Sequence, residues 1–171
     1  RFLATGDYRK ISPSRACLSN AMNVGNPSNL ARFFDLYGGT VDRSGVVHRA
    51  PDLASMRRGI FSTSISDAET RDTIKRVYEN LGVLLEPHGA VAWKGLEDWL
   101  EMNPERSGPY VSLETAHPAK FPEQIIDLLG FSPDLPPSMQ GIEKRTGEAV
   151  PMGASYGEFK SFLESTLRES D

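Results

Sequence analysis

The sequence predicts an α/β fold in which short strands alternate with helices, followed by a helical carboxy-terminal tail. Apolar residues recur at helical spacing in several stretches, and a glycine ends most of them. Short apolar or alternating runs lie between these stretches, at 61–65, 83–85 and 110–113. Strands that alternate with helices of this length indicate parallel β–α units.

The first predicted helix covers residues 29–37, where Leu and aromatic side chains are three and four residues apart. The glycine pair at 38 and 39 ends it. The segment 38–60 is rich in glycine and charge, and within it we expect one short helix near Leu53–Arg58.

Two longer helices follow, and each has a clear start. Ser66 and Glu69 form a capping-box pattern before a helix that Gly82 ends. Pro87 opens the next helix, since proline fits the first turn, and a further helix is expected from Pro122 until Gly130. The predicted core residues of these helices are Ile74, Val77, Tyr78, Leu81, Val91, Ala92, Leu96, Trp99, Leu100, Ile125, Ile126 and Leu129.

The character of the chain changes at Phe131. Residues 1–130 carry the predicted β–α units, whereas 131–139 are rich in proline, which favours an extended strap. We assign 131–171 as a strap and a terminal helix of the same domain. The predicted apolar face of that helix comprises Phe159, Phe162, Leu163 and Leu167.

Charge and composition exclude several classes of partner. The net charge of −4 argues against nucleic acid or an anionic membrane, because both require basic patches. No apolar run approaches the roughly 20 residues that span a bilayer, and no signal segment is evident. Cys17 is the only cysteine, which excludes an internal disulfide and fits a reducing compartment. We therefore expect a cytoplasmic protein.

Residues 18–29 (LSNAMNVGNPSN) form the most informative stretch. Asn and Ser favour caps and turns over helix interiors, so this segment is expected to hold a fixed loop. Pro27 is predicted just inside the next helix, with Asn26 before it, and free N–H groups there would suit a phosphate or carboxylate. The alternative is a capped helix start without a ligand.

Three blocks of sequence together resemble threonine synthase, a fold-type II enzyme that uses pyridoxal phosphate (PLP). The first is the SNAMxVGNPSN stretch, preceded by FLATGDY at 2–8. The second is EPHGAV at 86–91, and the third is TAHPAKF at 115–121. They occur in the family's order over most of residues 2–121, and three blocks in order are far more specific than any one.

The resemblance implies that residues 1–130 are the carboxy-terminal part of the large PLP-binding domain. It implies conversion of O-phospho-homoserine and water to threonine and phosphate, by a PLP-dependent carbon–oxygen lyase. The family's Schiff-base lysine and phosphate-cradling loop have no counterpart here, and the chain opens with Arg1 in the middle of the family pattern. We therefore expect both in an upstream portion of the same polypeptide, no catalytic residue in this chain, and no activity of the chain alone.

Two residues are predicted to touch the cofactor. Thr115 follows the 110–113 run, at the strand end where open α/β sheets bind ligands, and the resemblance implies that its hydroxyl bonds the pyridine nitrogen. Its alternative role is to cap a loop. Glu86 opens a Glu-Pro-x-x-Gly/Ala-like helix start, and the resemblance places it near the cofactor ring. A carboxylate also suits a helix amino terminus for structural reasons alone.

Five residues are predicted to bind the substrate. A phosphorylated amino acid needs charge-assisted donors, for which His117 and Lys120 are candidates. Their alternative role is to cap elements at the surface. The polar residues of the first block complete the set: Ser19, Asn20 and Asn26.

The sequence departs from the expected family pattern at Cys17 and Asn23, where threonine and aspartate are the rule. The second change removes a negative charge and puts any electrostatic role of that position in doubt. Nothing favours a reactive thiol at Cys17, because a lone cysteine is usually a buried apolar residue. Three scattered histidines and one cysteine do not have the spacing of a zinc site, so no metal is predicted.

Two other functions remain open at this stage. A related phospho-lyase or dehydratase would eliminate phosphate or water without completing threonine formation. A non-catalytic binding module would use the same apolar faces and helix starts to hold a partner.

Overall fold

The computed structural model describes residues 2–147 and 149–168 and is rich in helix. Seven helices are present in this part: α1 (Phe2–Thr5), α2 (Leu30–Leu36), α3 (Leu53–Gly59), α4 (Asp67–Leu81), α5 (Pro87–Met102), α6 (Pro122–Leu129) and α7 (Tyr156–Arg168). Single turns of 3₁₀ helix lie at Asn20–Met22, Pro118–Lys120, Pro137–Met139 and Ile142–Lys144. One antiparallel pair, β1 (Thr40–Val41) and β2 (Val47–Arg49), is the sheet of the described residues.

The predicted start and end signals of α4 are confirmed. The Ser66 side chain accepts the N–H of Glu69, and the Glu69 carboxylate accepts the N–H of Ser66, which completes the capping box. Gly82 ends the helix in the left-handed conformation, at φ +66°, and donates its N–H to the carbonyl of Tyr78. Pro87 occupies the first turn of α5, as predicted.

Helices α4, α5 and α6 enclose the main apolar core. Its buried members are Ile74, Val77, Leu85, Ala90 and Ile125. Partly buried apolar side chains surround this cluster: Leu84, Trp93, Leu128, Leu129 and Phe131. The predicted stripe on α4 is therefore correct in its central residues, whereas Leu81 is exposed at the end of the helix.

A polar contact joins α4 to α5 beside this core. The Arg76 guanidinium donates to both carboxylate oxygens of Glu97, at 3.0 and 2.6 Å, and the Trp93 indole N–H donates to Glu97 at 2.8 Å. Burial raises the pKa of Glu97, but the hydrogen bonds from Arg76 and Trp93 outweigh it, so the pKa lies below its usual range. The bidentate geometry fixes the rotation of one helix against the other.

The amino-terminal residues pack on α2 and α3. Phe2 and Phe34 stack with ring centroids 4.8 Å apart, and Tyr8 meets Phe34 edge-on. Arg57 donates to the carbonyl oxygens of Leu3 and Ala4, at 2.6 and 2.8 Å. These carbonyls lie at the end of α1, where a helix leaves its acceptors without partners, so Arg57 supplies the missing donors.

The segments predicted as strands are not strands in this chain. Residues 61–65, 83–85 and 110–113 have no regular secondary structure and pair with no neighbour among the described residues. Their short apolar or alternating runs correctly predicted segments without helix. A strand also needs a neighbouring strand as partner for its N–H and C=O groups. The hairpin β1–β2, within the segment expected to hold only a short helix, was not predicted.

The start of α2 also differs from the prediction. The helix begins at Leu30, so Pro27 lies before it rather than inside it. The N–H groups of Leu30, Ala31 and Arg32 donate to carbonyls three residues earlier. These three donors are therefore occupied within the chain, and binding of an anion at this helix start stays a prediction.

The chain divides into two compact units, the first ending at Asp134 and the second beginning at Leu135. The second contains two 3₁₀ turns and α7, on which Phe159 and Leu163 are exposed and Phe162 is half-buried. The side chain of Leu167 lies outside the described residues. The predicted boundary after residue 130 and the assignment of the tail to the same domain stay predictions.

None of the helices in residues 2–147 and 149–168 combines the length and the apolar character that crossing a bilayer requires.

The Arg76–Glu97 contact predicts an acid-dependent loss of stability. Because the folded pKa of Glu97 is lowered, its contribution is present above the unfolded value of about 4.3 and is lost as the pH falls through the folded value. We expect E97Q to lower the free energy of unfolding by about 1 kcal/mol at neutral pH, after allowance for solvent screening. The difference from the unmodified protein should shrink below about pH 4.

Urea unfolding at a series of pH values measures this difference. E101Q, on the exposed side of the same helix, is the matched control. A wild-type advantage over E97Q that is the same at neutral and acidic pH would contradict the assignment.

Candidate active-site region

A fully buried carboxylate lies at the amino terminus of α5. Glu86 has 0% relative exposure and caps the helix, accepting the N–H of His88 and of Gly89 at 2.8 Å each. A third donor is the His88 ring, whose Nδ1 lies 2.6 Å from Glu86 Oε2. Burial of a carboxylate is costly unless donors surround it, and here three donors and the positive end of the helix dipole do so.

The second ring nitrogen of His88 reaches the first sequence block. The N–H of Ala21 donates to His88 Nε2 at 3.3 Å. A ring nitrogen that accepts a proton donor carries no proton, so Nδ1 holds the ring proton and donates it to Glu86. His88 is therefore a neutral imidazole with both nitrogens engaged, and it is 6% exposed.

The third sequence block meets the same histidine. The ring of Phe121 lies 5.3 Å from the His88 ring, centroid to centroid. The blocks at 18–29, 86–91 and 115–121 are far apart in the chain, and His88 contacts a residue of each of the other two. The start of α5 is thus the point where all three blocks meet.

Glu114 adds a second connection between these blocks. Its Oε1 accepts the N–H of Glu86 at 2.8 Å, although Glu114 as a whole is an exposed residue. Burial and the negative charge of Glu86 raise the pKa of Glu114, against the hydrogen bond from Glu86 and the attraction of His117. The carboxylate lies directly against Gly89, where any Cβ would be 2.9 Å from Glu114 Cγ.

The predicted cofactor residue Thr115 follows Glu114 and is exposed. Its hydroxyl has no hydrogen-bond partner among the described residues, so it is available to a ligand. Glu86, the other predicted cofactor residue, is different, because its carboxylate already accepts three hydrogen bonds inside the protein. The structural alternative for Glu86, a helix cap, is what this geometry shows.

His117 and Lys120 border the 3₁₀ turn at Pro118–Lys120 and are both exposed. His117 Nδ1 accepts the N–H of Ala119 at 3.1 Å, which leaves Nε2 as the ring's donor. His117 and Glu114 line a cleft of about 450 Å³ with Tyr78, Leu84, Pro118, Phe131, Ser132, Pro133 and Asp134. His117 therefore borders an open cleft next to the TAHPAKF loop.

The predicted residues of the first block fall in two places. Ser19 is buried, with its hydroxyl 3.8 Å from Cys17 Sγ, and both line a polar cleft of about 570 Å³. Asn23 lines the same cleft and donates to the Arg15 carbonyl, so its amide is used within the loop. Asn20 lies in the 3₁₀ turn between them and is exposed.

Asn26 lies in a separate cleft of about 370 Å³. Its side chain accepts the Tyr8 hydroxyl and donates to the Arg43 carbonyl at 2.9 Å. The amide is therefore satisfied within the protein. The structure does not bring Asn26, Ser19 and His117 into one cavity, and their substrate contacts stay predictions.

Sequence reasoning missed two residues of this region, His88 and Glu114. His88 stood within a block of the resemblance, but a histidine after proline at a helix start has no fixed role. A usable signal was present: a histidine two residues after the capping Glu86 lies within reach of its carboxylate. No local pattern indicated Glu114, because its partner is 28 residues away in the chain.

Two solved threonine synthases share this fold. The enzyme from Escherichia coli superimposes with a TM-score of 0.69 at 29% identity, covering 97% of this chain and 34% of that one. PLP-bound threonine synthase from Brucella melitensis gives 0.63 at 27% identity, covering 85% of this chain and 33% of that one. The class is therefore that of the threonine synthase fold.

Sequence comparison agrees with the fold. The family described as threonine synthase, C-terminal, matches residues 89–163. Threonine synthase from Haemophilus influenzae is 37% identical over 163 residues, and that from Escherichia coli is 34% identical over 142 residues. These alignments cover 95% and 80% of this chain, but 34% and 27% of the relatives.

The resemblance carried by the three sequence blocks is confirmed: the chain corresponds to a carboxy-terminal portion of threonine synthases. It spans about a third of the length of the curated relatives it matches.

The buried pair of His88 and Glu86 predicts a large loss of stability on substitution. H88A removes the Nδ1–H donor and leaves a buried carboxylate short of one hydrogen bond, so we expect a loss of roughly 2–3 kcal/mol in the free energy of unfolding. Urea unfolding measures the loss. The control is H48A, at an exposed ion pair with Asp42, which should change the value by less than about 1 kcal/mol. Equal losses for both variants would contradict the role given to His88.

Proposed function

We propose that this chain is the carboxy-terminal part of a threonine synthase that converts O-phospho-homoserine and water to threonine and phosphate. The observation that carries the proposal is the meeting of the three family blocks at the start of α5, through the Glu86–His88 pair. Residues scattered over the chain thus form one region, as an active site requires. The similarity to threonine synthases supports the same conclusion.

PLP is the cofactor that we propose for the complete protein, and it would supply an electron sink for the removal of phosphate. Its fit to this chain depends on the donors present. Thr115 offers a hydroxyl without a partner among the described residues, suited to the pyridine nitrogen. A neutral hydroxyl does not hold that nitrogen protonated as a carboxylate would. Glu86 would lie beside the ring as part of the α5 start.

His117 and Lys120 are proposed to receive the substrate phosphate. Nε2 of His117 is a donor, because Nδ1 accepts the Ala119 N–H. Lys120 adds a positive charge three residues later, and charge-assisted donors bind phosphate oxygens most strongly. Ser19, Asn20 and Asn26 are proposed to contact the amino-acid part of the substrate.

The remaining portion of the polypeptide is proposed as the partner of the unpaired segments. Val111 and Leu113 are 77% and 72% exposed, and residues 110–113 make no strand pairing within the described chain. Such a segment has both apolar side chains and backbone groups in need of partners. Pairing with strands from elsewhere in the polypeptide would complete the parallel β–α units of a fold-type II domain. A cytoplasmic location is part of the same proposal.

The test is an assay of the polypeptide that contains this chain, with O-phospho-homoserine as substrate. Release of phosphate together with formation of threonine supports the proposal. Phosphate without threonine indicates a phospho-lyase, and neither product indicates a binding module. The chain alone is the control: it should form neither product, and borohydride should trap no PLP on its lysines, because none lies in the family's Schiff-base setting.

Thr115 gives a sharper prediction. T115A should lower kcat by at least about tenfold, because the hydrogen bond to the pyridine nitrogen is lost. Stability should change little, since the hydroxyl has no partner among the described residues. T115S, which keeps the hydroxyl, should retain most of the activity. A fall in the melting temperature that accounts for the lost activity would return Thr115 to a structural role.

A further inference from the structure

Glu114 holds the segment that carries Thr115. Among the described residues, the hydrogen bond from the Glu86 N–H to Glu114 Oε1 is the only one made by residues 111–116. Val111 and Leu113 on this segment are largely exposed, so apolar packing does not fix it either. Within residues 111–116, the Glu114 carboxylate is therefore the hydrogen-bonded link to α5, between the ring contacts of Tyr110 with Trp99 and of Phe121 with His88 on either side.

Gly89 makes room for this carboxylate. An added Cβ there would lie 2.9 Å from Glu114 Cγ, closer than Cβ atoms approach other atoms in proteins, and 3.0 Å from Oε1, which is tighter than most Cβ contacts. A glycine inside a helix costs roughly 0.5–1 kcal/mol relative to alanine, so its presence needs a reason. The reason here is the passage of the Glu114 side chain across the first turn of α5.

The carboxylate of an ordinary surface glutamate is fully hydrated, whereas that of Glu114 is partly removed from water. Burial and the charge of Glu86 both oppose its ionised form, while the Glu86 N–H and His117 favour it. The contact is therefore kept against an electrostatic cost. A simple helix-capping role is already filled by Glu86, which accepts the N–H groups of His88 and Gly89.

We infer that Glu114 is a positioning residue, which fixes the Thr115 hydroxyl relative to the start of α5 through its contacts with Glu86 and Gly89. The inference rests on the proposed function, since it assigns the pyridine nitrogen to Thr115. Because Glu114 directly precedes Thr115, loss of the hydrogen bond that holds Glu114 frees the Thr115 backbone to shift. A displacement of the order of 1 Å is enough to slow a reaction strongly.

The experiment compares E114A, E114Q, G89A and the double variant G89A/E114A in the complete polypeptide, with E101A as a matched exposed control. We expect E114A to lower kcat about tenfold with little change in KM, as loss of one charge-assisted hydrogen bond implies. E114Q keeps an acceptor oxygen and should stay within about threefold of the unmodified protein. G89A should lower kcat as well, because the added Cβ displaces the Glu114 side chain.

The double variant tests the contact without reference to activity. If Gly89 is required only because of Glu114, G89A should raise the unfolding equilibrium constant of the protein that has Glu114, whereas that of G89A/E114A should be about twofold to fivefold below that of E114A, because alanine favours a helix more than glycine does. Additive effects of the two substitutions would overturn the inference, as would an E114A protein whose kcat matches that of E101A. An E114Q protein as impaired as E114A would also overturn it, because the acceptor is retained.

These outcomes are distinct from failure of the proposed function. If the unmodified polypeptide forms neither threonine nor phosphate, the proposed function and the role of Thr115 are contradicted. This holds even where the coupling between residues 89 and 114 is found. Both products together with additive losses would contradict the positioning role alone.

Discussion

A carboxylate with no exposed surface has to be matched by donors, and at Glu86 two backbone N–H groups and one imidazole N–H do this. The imidazole is the decisive donor, because its other nitrogen binds Ala21 in a loop 67 residues earlier. The start of α5 and the first sequence block are thereby held together by one neutral histidine. The rest of the region depends on this arrangement.

The start of α5 is both capped by Glu86 and bound by Glu114, the residue before Thr115. Glu86 satisfies the N–H groups that open α5, and its own N–H is held by Glu114 from the segment before Thr115. Burial and the negative charge of Glu86 both raise the pKa of Glu114, because each disfavours the ionised form; the second effect is the repulsion between two carboxylates. The hydrogen bond from the Glu86 N–H is kept despite this repulsion, which accords with the positioning role inferred for Glu114.

The exposed apolar side chains also accord with the contact proposed between this chain and the rest of the polypeptide. The core between α4, α5 and α6 has a buried centre, whereas the segment at 110–113 exposes Val111 and Leu113 and makes no strand pairing in the described residues. Edges of this kind are rarely left uncovered in native proteins. This chain spans about a third of the length of its relatives, and the strands proposed to pair with residues 110–113 belong to the other two thirds.

The sequence by itself determined the longer helices of this protein and the family it resembles, because caps, glycine stops and apolar stripes depend on residues within a few positions of one another. Ser66 with Glu69, Gly82, Pro87 and Gly130 each mark a boundary where the structure has one. Strands and the site were decided by tertiary structure. A strand needs a partner for its backbone groups, and the roles of His88 and Glu114 depend on contacts 67 and 28 residues away, which no local pattern encodes.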